Sequence, residues 1–318
     1  MEQLQIDIVR YNPSLHDEWN TFVRQSKNGT FLFDRRYMDY HADRFSDYSL
    51  MFYIKGRLQG VMPATIISAI FSTHAGLTYG GLVMSTSFSA AECVELFRQL
   101  NEWLKREGVQ RVVYKPVPHI YHRLPAEEDL YALHHVCGAR IIGRDLGTDI
   151  VRAHAPRWER VRRRGVQRAQ DGGINVRRCD DWAAFWKILA DNLNGKYGVK
   201  PVHTLDEIVL LKERFPDEIA FFGAYHQDEM LGGLVLYVTQ EVVHAQYSSA
   251  TEEGRELGVM DALYHHVLDN EYFDRPHFDF GRSTEGAEGA VLNTRLTFQK
   301  EGYGGRSVCY DTYAYDII

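Results

Sequence analysis

The sequence predicts a mixed α/β protein of two tandem domains, each a twisted sheet flanked by helices. Three observations lead there. The chain has 318 residues, beyond the size at which one hydrophobic core stops growing, so two domains of roughly 150 residues are expected. Its 45% hydrophobic and 25% charged residues are those of a folded chain rather than a disordered one. An order of strand, strand, helix, strand occurs twice, displaced by a little over half the chain, a repeat of pattern rather than of letters.

The first copy comprises "GRLQGVMPATIIS" (56–68), "THAGLTYGGLVMS" (73–85), "SAAECVELFRQLNEWLKREG" (89–108) and "VQRVVYKPV" (109–117). Its helix is marked by the capping-box spacing of Ser89 and Glu92, by Cys93, Leu96, Phe97, Leu100 and Leu104 at helical intervals, and by Gly108 as a stop. The Val-, Ile- and Tyr-rich flanks read as strands. The second copy is "DEMLGGLVLYVTQ" (228–240), "EVVHAQYSSAT" (241–251), a turn and helix over 254–270, and "RPHFDFGRS" (275–283). Between the copies, "DDWAAFWKILADNLNGKYG" (180–198) and "VHTLDEIVLLKERFPD" (202–217) read as helices, the second started by the Thr204 and Glu207 capping box. The expected boundary falls near 150, giving domains 1–150 and 151–318.

A net charge of −7 provides no overall attraction for nucleic acid or an anionic membrane, so a polyanion must be met locally. The basic segment "RAHAPRWERVRRRGVQRAQDGG" (152–173) is the one place suited to it. Arg157, Arg160, Arg162, Arg163, Arg164 and Arg168 cluster there, and Arg160, Arg164 and Arg168 share a helix face. Cys93, Cys137, Cys179 and Cys309 lie scattered without a C-x-x-C pair, as expected of reduced thiols in the cytoplasm. The start, "MEQLQIDIVRYN", alternates like a strand rather than resembling a signal peptide, and no apolar run suits membrane insertion. No bound metal is expected: His134-His135 and His265-His266 are neighbours, which on a helix point about 100° apart.

The turn "SATEEGRELGVMDALYHHVLD" (249–269) leaves a strand and enters a helix. Its Arg255-x-x-Gly258 resembles part of the pyrophosphate signature of the GNAT acyltransferases, with Met260 where that signature has a small residue. "FDFGRSTEGAEGAVLNTRLTFQKEGYGG" (278–305) resembles the closing region of tandem GNAT-fold proteins related to the Fem-type (FemAB-like) peptidyltransferases. There Phe298, Lys300 and Tyr303-Gly304 stand near the positions of an F-K-x-x-F-G-like element. The resemblance covers most of the chain and implies two GNAT-like domains, the second binding the donor and the first shaping the acceptor site or supporting the fold.

It further implies acyl transfer to an amine, with acetyl-CoA or another acyl-CoA as co-substrate and no permanently bound cofactor. Gly254, Arg255, Gly258 and the following helix start would then hold the pyrophosphate. GNAT folds splay two central strands around the donor carbonyl; these are expected at 230–238 and 242–250, which makes His244 and Tyr247 catalytic candidates beside Lys300. Strict alternation would put His244 and Gln246 on one face and Tyr247 on the other. Lys196, Tyr197 and His203, in a punctuated connection between two helices, and Arg282, in the D-F-G-R turn, are candidates for contacting a small-molecule, sugar or cell-wall precursor acceptor. Two rivals stand beside this reading: a Fem-like transferase using aminoacyl-tRNA, favoured by the arginine cluster, and a GNAT-like binding protein without catalysis. A homo-oligomer is compatible with either.

Overall fold

The computed structural model describes residues 4–318, apart from the side chain of Tyr197. The chain forms two compact units, one of residues up to 145 with 285–291 and 309–318, the other of 146–284 with 292–308.

In the first unit, β1 (Ile6–Arg10) leads into α1 (His16–Gln25) and the short α2 (Arg35–Met38). Then come β2 (Leu50–Ile54), β3 (Arg57–Met62), β4 (Thr65–Ile67), β5 (Ile70–Ser72) and β6 (Val83–Met84). α3 (Ala90–Arg106), β7 (Arg111–Tyr114) and α4 (Glu128–His135) follow. One antiparallel sheet has the order β1-β2-β3-β6, while β7 runs parallel to β5. α3 starts at the capping box read from the sequence, since Ser89 Oγ accepts from Glu92 N–H and Glu92 accepts from Ser89 N–H. Its apolar face, Cys93, Leu96, Phe97, Leu100 and Leu104, is buried against Phe52, Phe71 and Tyr114.

β8 (Arg140–Val151) carries the chain into the second unit. α5 (Arg160–Asp171), β9 (Ile174–Arg178), α6 (Trp182–Tyr197) and α7 (Leu205–Arg214) precede an antiparallel run of β10 (Ile219–His226), β11 (Glu229–Val238) and β12 (Val242–Ala250). α8 (Glu252–Glu256), α9 (Val259–His266), a π-helical turn (Val267–Glu271), β13 (His277–Arg282) and α10 (Thr294–Glu301) complete it. The final strand, β14 (Arg306–Asp316), pairs in its last residues with β7. The sheet order in the second unit is β8-β13-β12-β11-β10-β9. Its core joins Leu234, Leu236 and Val243 to Val259, Leu263 and Tyr264 of α9, with Phe278 and Tyr303.

Two expectations about this sheet need correction. The strands expected to splay, 230–238 and 242–250, instead pair from Gly232–Ala250 to Val238–Val243. The fork lies between β12 and β13, whose parallel pairing covers only Val242–His244 against His277–Asp279. A hairpin holds β11 to β12, whereas β13 arrives by a crossover, pairs with β8 from His277 onwards and is irregular between Asp279 and Arg282, where Gly281 has a φ of +70°. The alternation also fails. A bulge leaves Gln246 without a partner, so that His244 lies opposite Tyr237 and Tyr247 opposite Val235. Opposed residues of an antiparallel pair share a face, so His244 and Tyr247 lie on one side of the sheet.

Candidate functional site

His244 occupies the last paired position before the fork. Its Nδ1 is 2.7 Å from Oδ2 of Asp279, its neighbour on β13, which is 1% exposed. The other carboxylate oxygen of Asp279 accepts from Gly281 N–H at 2.7 Å. An ionised carboxylate only accepts, so Nδ1 donates in this contact and Nε2 is the ring nitrogen turned away from Asp279. This is the arrangement of an oriented imidazole base. Asp279 stands in the quoted "FDFGR" segment, yet its pairing with His244 depends on cross-strand register and could not be read from spacing.

Gly281 is the hub of the turn. A side chain there would come within 3.1 Å of the His244 ring, and its φ of +70° favours glycine. The Gly281 and Arg282 carbonyls both accept from Lys300 Nζ, at 2.9 and 2.7 Å. Lys300, in the last turn of α10, is 7% exposed. Burial draws its ammonium down to about 8, opposed by the charge of Asp279. His244, Asp279, Gly281 and Lys300 therefore form one connected group, with Lys300 holding the turn from within the protein. Phe298, two residues earlier, is 62% exposed. Arg282 is exposed at the end of β13.

On the same face as His244, Tyr247 packs against Trp186 of α6, with ring centroids 5.2 Å apart. Its hydroxyl lies 2.6 Å from His203 Nδ1 and accepts from the His203 N–H at 3.2 Å. Burial pushes the phenol up to about 12. Thus β12 and the α6–α7 connection bring Tyr247 and His203 together. Lys196 belongs to the last turn of α6, which closes at Gly198 with φ +65°, so only 198–204 is a true connection. The side chain of Tyr197 lies outside the described residues.

The three residues expected to hold a pyrophosphate are occupied in packing. Gly254 is buried with its Cα against the Leu231 carbonyl, where a Cβ would come within 2.5 Å. Arg255 donates to the Ala250 carbonyl at 2.7 Å and to Asn192 Oδ1 at 3.2 Å, tying α8 to α6 and β12. Gly258 caps α9 with φ +81°, and a Cβ there would lie 2.3 Å from the Gly165 carbonyl of α5. A Cβ on Gly165 would in turn lie 1.8 Å from Asp261. The first turn of α9 is thus covered by α5. Its own Asp261, 6% exposed, accepts from Tyr303 Oη at 2.6 Å and from Arg162 Nη1 at 3.2 Å, placing a carboxylate at the helix start.

Arg162 is the inward member of the arginine cluster; Arg157, Arg160, Arg163, Arg164 and Arg168 are exposed. At the paired start of β13, His277 Nδ1 meets Asp149 Oδ2 at 2.7 Å, and that hydrogen bond raises the His277 pKa. Among the described residues, no helix is long and apolar enough to cross a membrane.

Residues 157–289 match the Acetyltransferase (GNAT) domain family, and the fold is that of tandem GNAT proteins. FemX is similar over 98% of this chain and 97% of its own, at 12% identity and a TM-score of 0.69. The C-terminal domain of a putative lysylphosphatidylglycerol synthetase from Agrobacterium fabrum is similar over 95% and 92%, at 10% identity and a TM-score of 0.62. A tandem GNAT protein from the clavulanic acid biosynthesis pathway is similar over 99% of both chains, at 9% identity and a TM-score of 0.52. No curated protein matches the sequence.

Proposed function

We propose that this protein is a cytoplasmic N-acyltransferase of the Fem-like kind, moving an aminoacyl group from charged tRNA to an amine of a small-molecule, sugar or cell-wall precursor acceptor. The observation that carries the reading is the closed start of α9. A CoA pyrophosphate needs free N–H groups at such a helix start. Here Gly258 abuts the Gly165 backbone, and Asp261 provides the negative charge the helix favours.

In the proposed reaction the acceptor amine approaches the fork from the side of Tyr247 and His203. His244 Nε2 takes a proton from the amine as its nitrogen attacks the ester carbonyl, and a C–N bond forms. The ester C–O bond breaks, and the proton passes from His244 to the departing ribose oxygen. Asp279 stabilises the imidazolium formed in between. Lys300 is a positioning residue, since its ammonium fixes the Gly281–Arg282 turn against His244.

An acyl-CoA donor is the second reading, favoured by Arg255-x-x-Gly258 standing between a strand and a helix. Parallel assays separate the two. Purified protein is incubated with a mixture of amine acceptors and either radiolabelled aminoacyl-tRNA or radiolabelled acetyl-CoA, and the label is followed into product. Transfer from aminoacyl-tRNA alone is expected. Transfer from acetyl-CoA, with a thermal shift on its addition, would overturn the tRNA reading.

A further inference from the structure

Between α5 and the C-terminal end of α9 lies an open groove of about 510 Å³ that the proposed chemistry does not use. Its walls come from the segment before α5, from α5 itself and from the far end of α9. Trp158, half-buried, forms part of its lining, with its ring 5.0 Å from Tyr303 in an edge arrangement. Arg157 and Arg163 are exposed on its rim, and Arg163 is steadied by the Trp158 carbonyl at 3.2 Å.

At the other end, Arg152 Nη2 donates to the Leu268 carbonyl at 2.8 Å, while its Nε is buried without a hydrogen-bond partner. Leu268 and Asp269 lie in the π-helical turn, a feature that recurs at functional sites. Asp269 is the one acid of the lining and is held by His265 Nδ1 at 2.6 Å. Arg152 is also paired with Asp269, at 3.8 Å, so the two exposed arginines and the indole are what suit an anionic ligand with a planar ring. A chain with a net charge of −7 has concentrated cations here against its average.

We propose that this groove binds a nucleotide of the single-stranded acceptor end of the donor RNA, its base stacked against Trp158 and its phosphates on Arg157 and Arg163. The inference rests on the charged-tRNA reading and adds the place where the donor is gripped outside the reaction centre. Aromatic stacking accepts any base, and the arginines follow the backbone, so the groove grips the RNA without reading its sequence.

The test is fluorescence anisotropy with a dye-labelled RNA tetranucleotide, ACCA, on the full chain at two salt concentrations. Trp158→Ala should weaken binding on the order of tenfold, and Trp158→Phe should keep most of it. Arg157→Ala with Arg163→Ala should weaken it too and reduce the log–log salt slope by about 1.4, roughly 0.7 for each phosphate contact. The arginine pair is exposed, so it serves even where Trp158→Ala fails to fold. If the wild type binds ACCA and transfers from aminoacyl-tRNA while the arginine pair and Trp158→Ala bind like wild type, the groove assignment is overturned and the function stands. If the wild type neither binds ACCA nor transfers from aminoacyl-tRNA, the function falls and the groove with it.

Discussion

His244 gains its chemical meaning from one hydrogen bond. Its Nδ1 contact with Asp279, at 2.7 Å, fixes which nitrogen is free, and a histidine with a fixed tautomer is a base with a direction. His244→Gln should lower the transfer rate by roughly 10²- to 10⁴-fold, measured under single-turnover conditions, with the thermal midpoint near that of wild type. An unchanged rate would remove the base assignment. Lys300 offers a separate reading through pH. Its folded pKa is about 8 against 10.5 for the free side chain, because burial disfavours the ammonium. Between those values the unfolded chain holds a proton that the folded chain has released, so stability rises with pH across that window. Below about 8 both states are protonated and the cost of the buried ammonium is fully present. The change is on the order of 3 kcal/mol. Urea midpoints at pH 7.5 and 10 should show this rise in wild type and lack it in Lys300→Met. Equal behaviour of the two would mean that Lys300 is not buried as an ammonium.

At the scale of elements, the meeting of α5 and α9 carries the proposed choice of donor. Gly258 and Gly165 bring the helices together where any side chain would collide. Gly258→Ala combines a positive φ with a Cβ 2.3 Å from a carbonyl oxygen, and should destabilise the second unit by about 2 kcal/mol or more. Urea denaturation would check this. A neutral effect would mean that the start of α9 is open, and the CoA reading would regain its ground. These elements also show what a sequence discloses. The α3 helix was legible because the Ser89–Glu92 capping box and the apolar face are local patterns, and so were the Thr204–Glu207 start of α7 and the basic face of α5. The R-x-x-G turn was legible as a turn, but its packing was not, because Gly165 lies far from Gly258 in sequence. Nor was the fork or the bulge at Gln246, since the fork depends on β13, brought in by a crossover, and the bulge on how β12 registers against β11 within their hairpin. Asp279 drew no notice because its pairing with His244 is cross-strand, whereas Lys300 was singled out through the resemblance that its surroundings carry.

For the molecule as a whole, the question is how a chain of net charge −7 would hold a polyanion. Beyond a Debye length, about 8 Å at physiological salt, the mean charge is largely screened, and closer in the local arrangement dominates. Arg157, Arg160, Arg163, Arg164 and Arg168 are exposed within one short stretch at the start of the second unit, while acids prevail elsewhere in the chain. If about four of these meet phosphates, log affinity should fall with log salt at a slope near −3, a loss of roughly 60-fold between 50 and 200 mM. A small CoA-like ligand making one or two such contacts would lose only a few-fold. Replacing Arg160 and Arg164 by glutamate should flatten the tRNA slope by about 2 units and leave urea stability near wild type, since neither side chain is buried. Filter binding of charged tRNA across a salt series checks both numbers. A shallow slope in the wild type, with the glutamate variant indistinguishable from it, would mean that the basic stretch is only a solvated helix face.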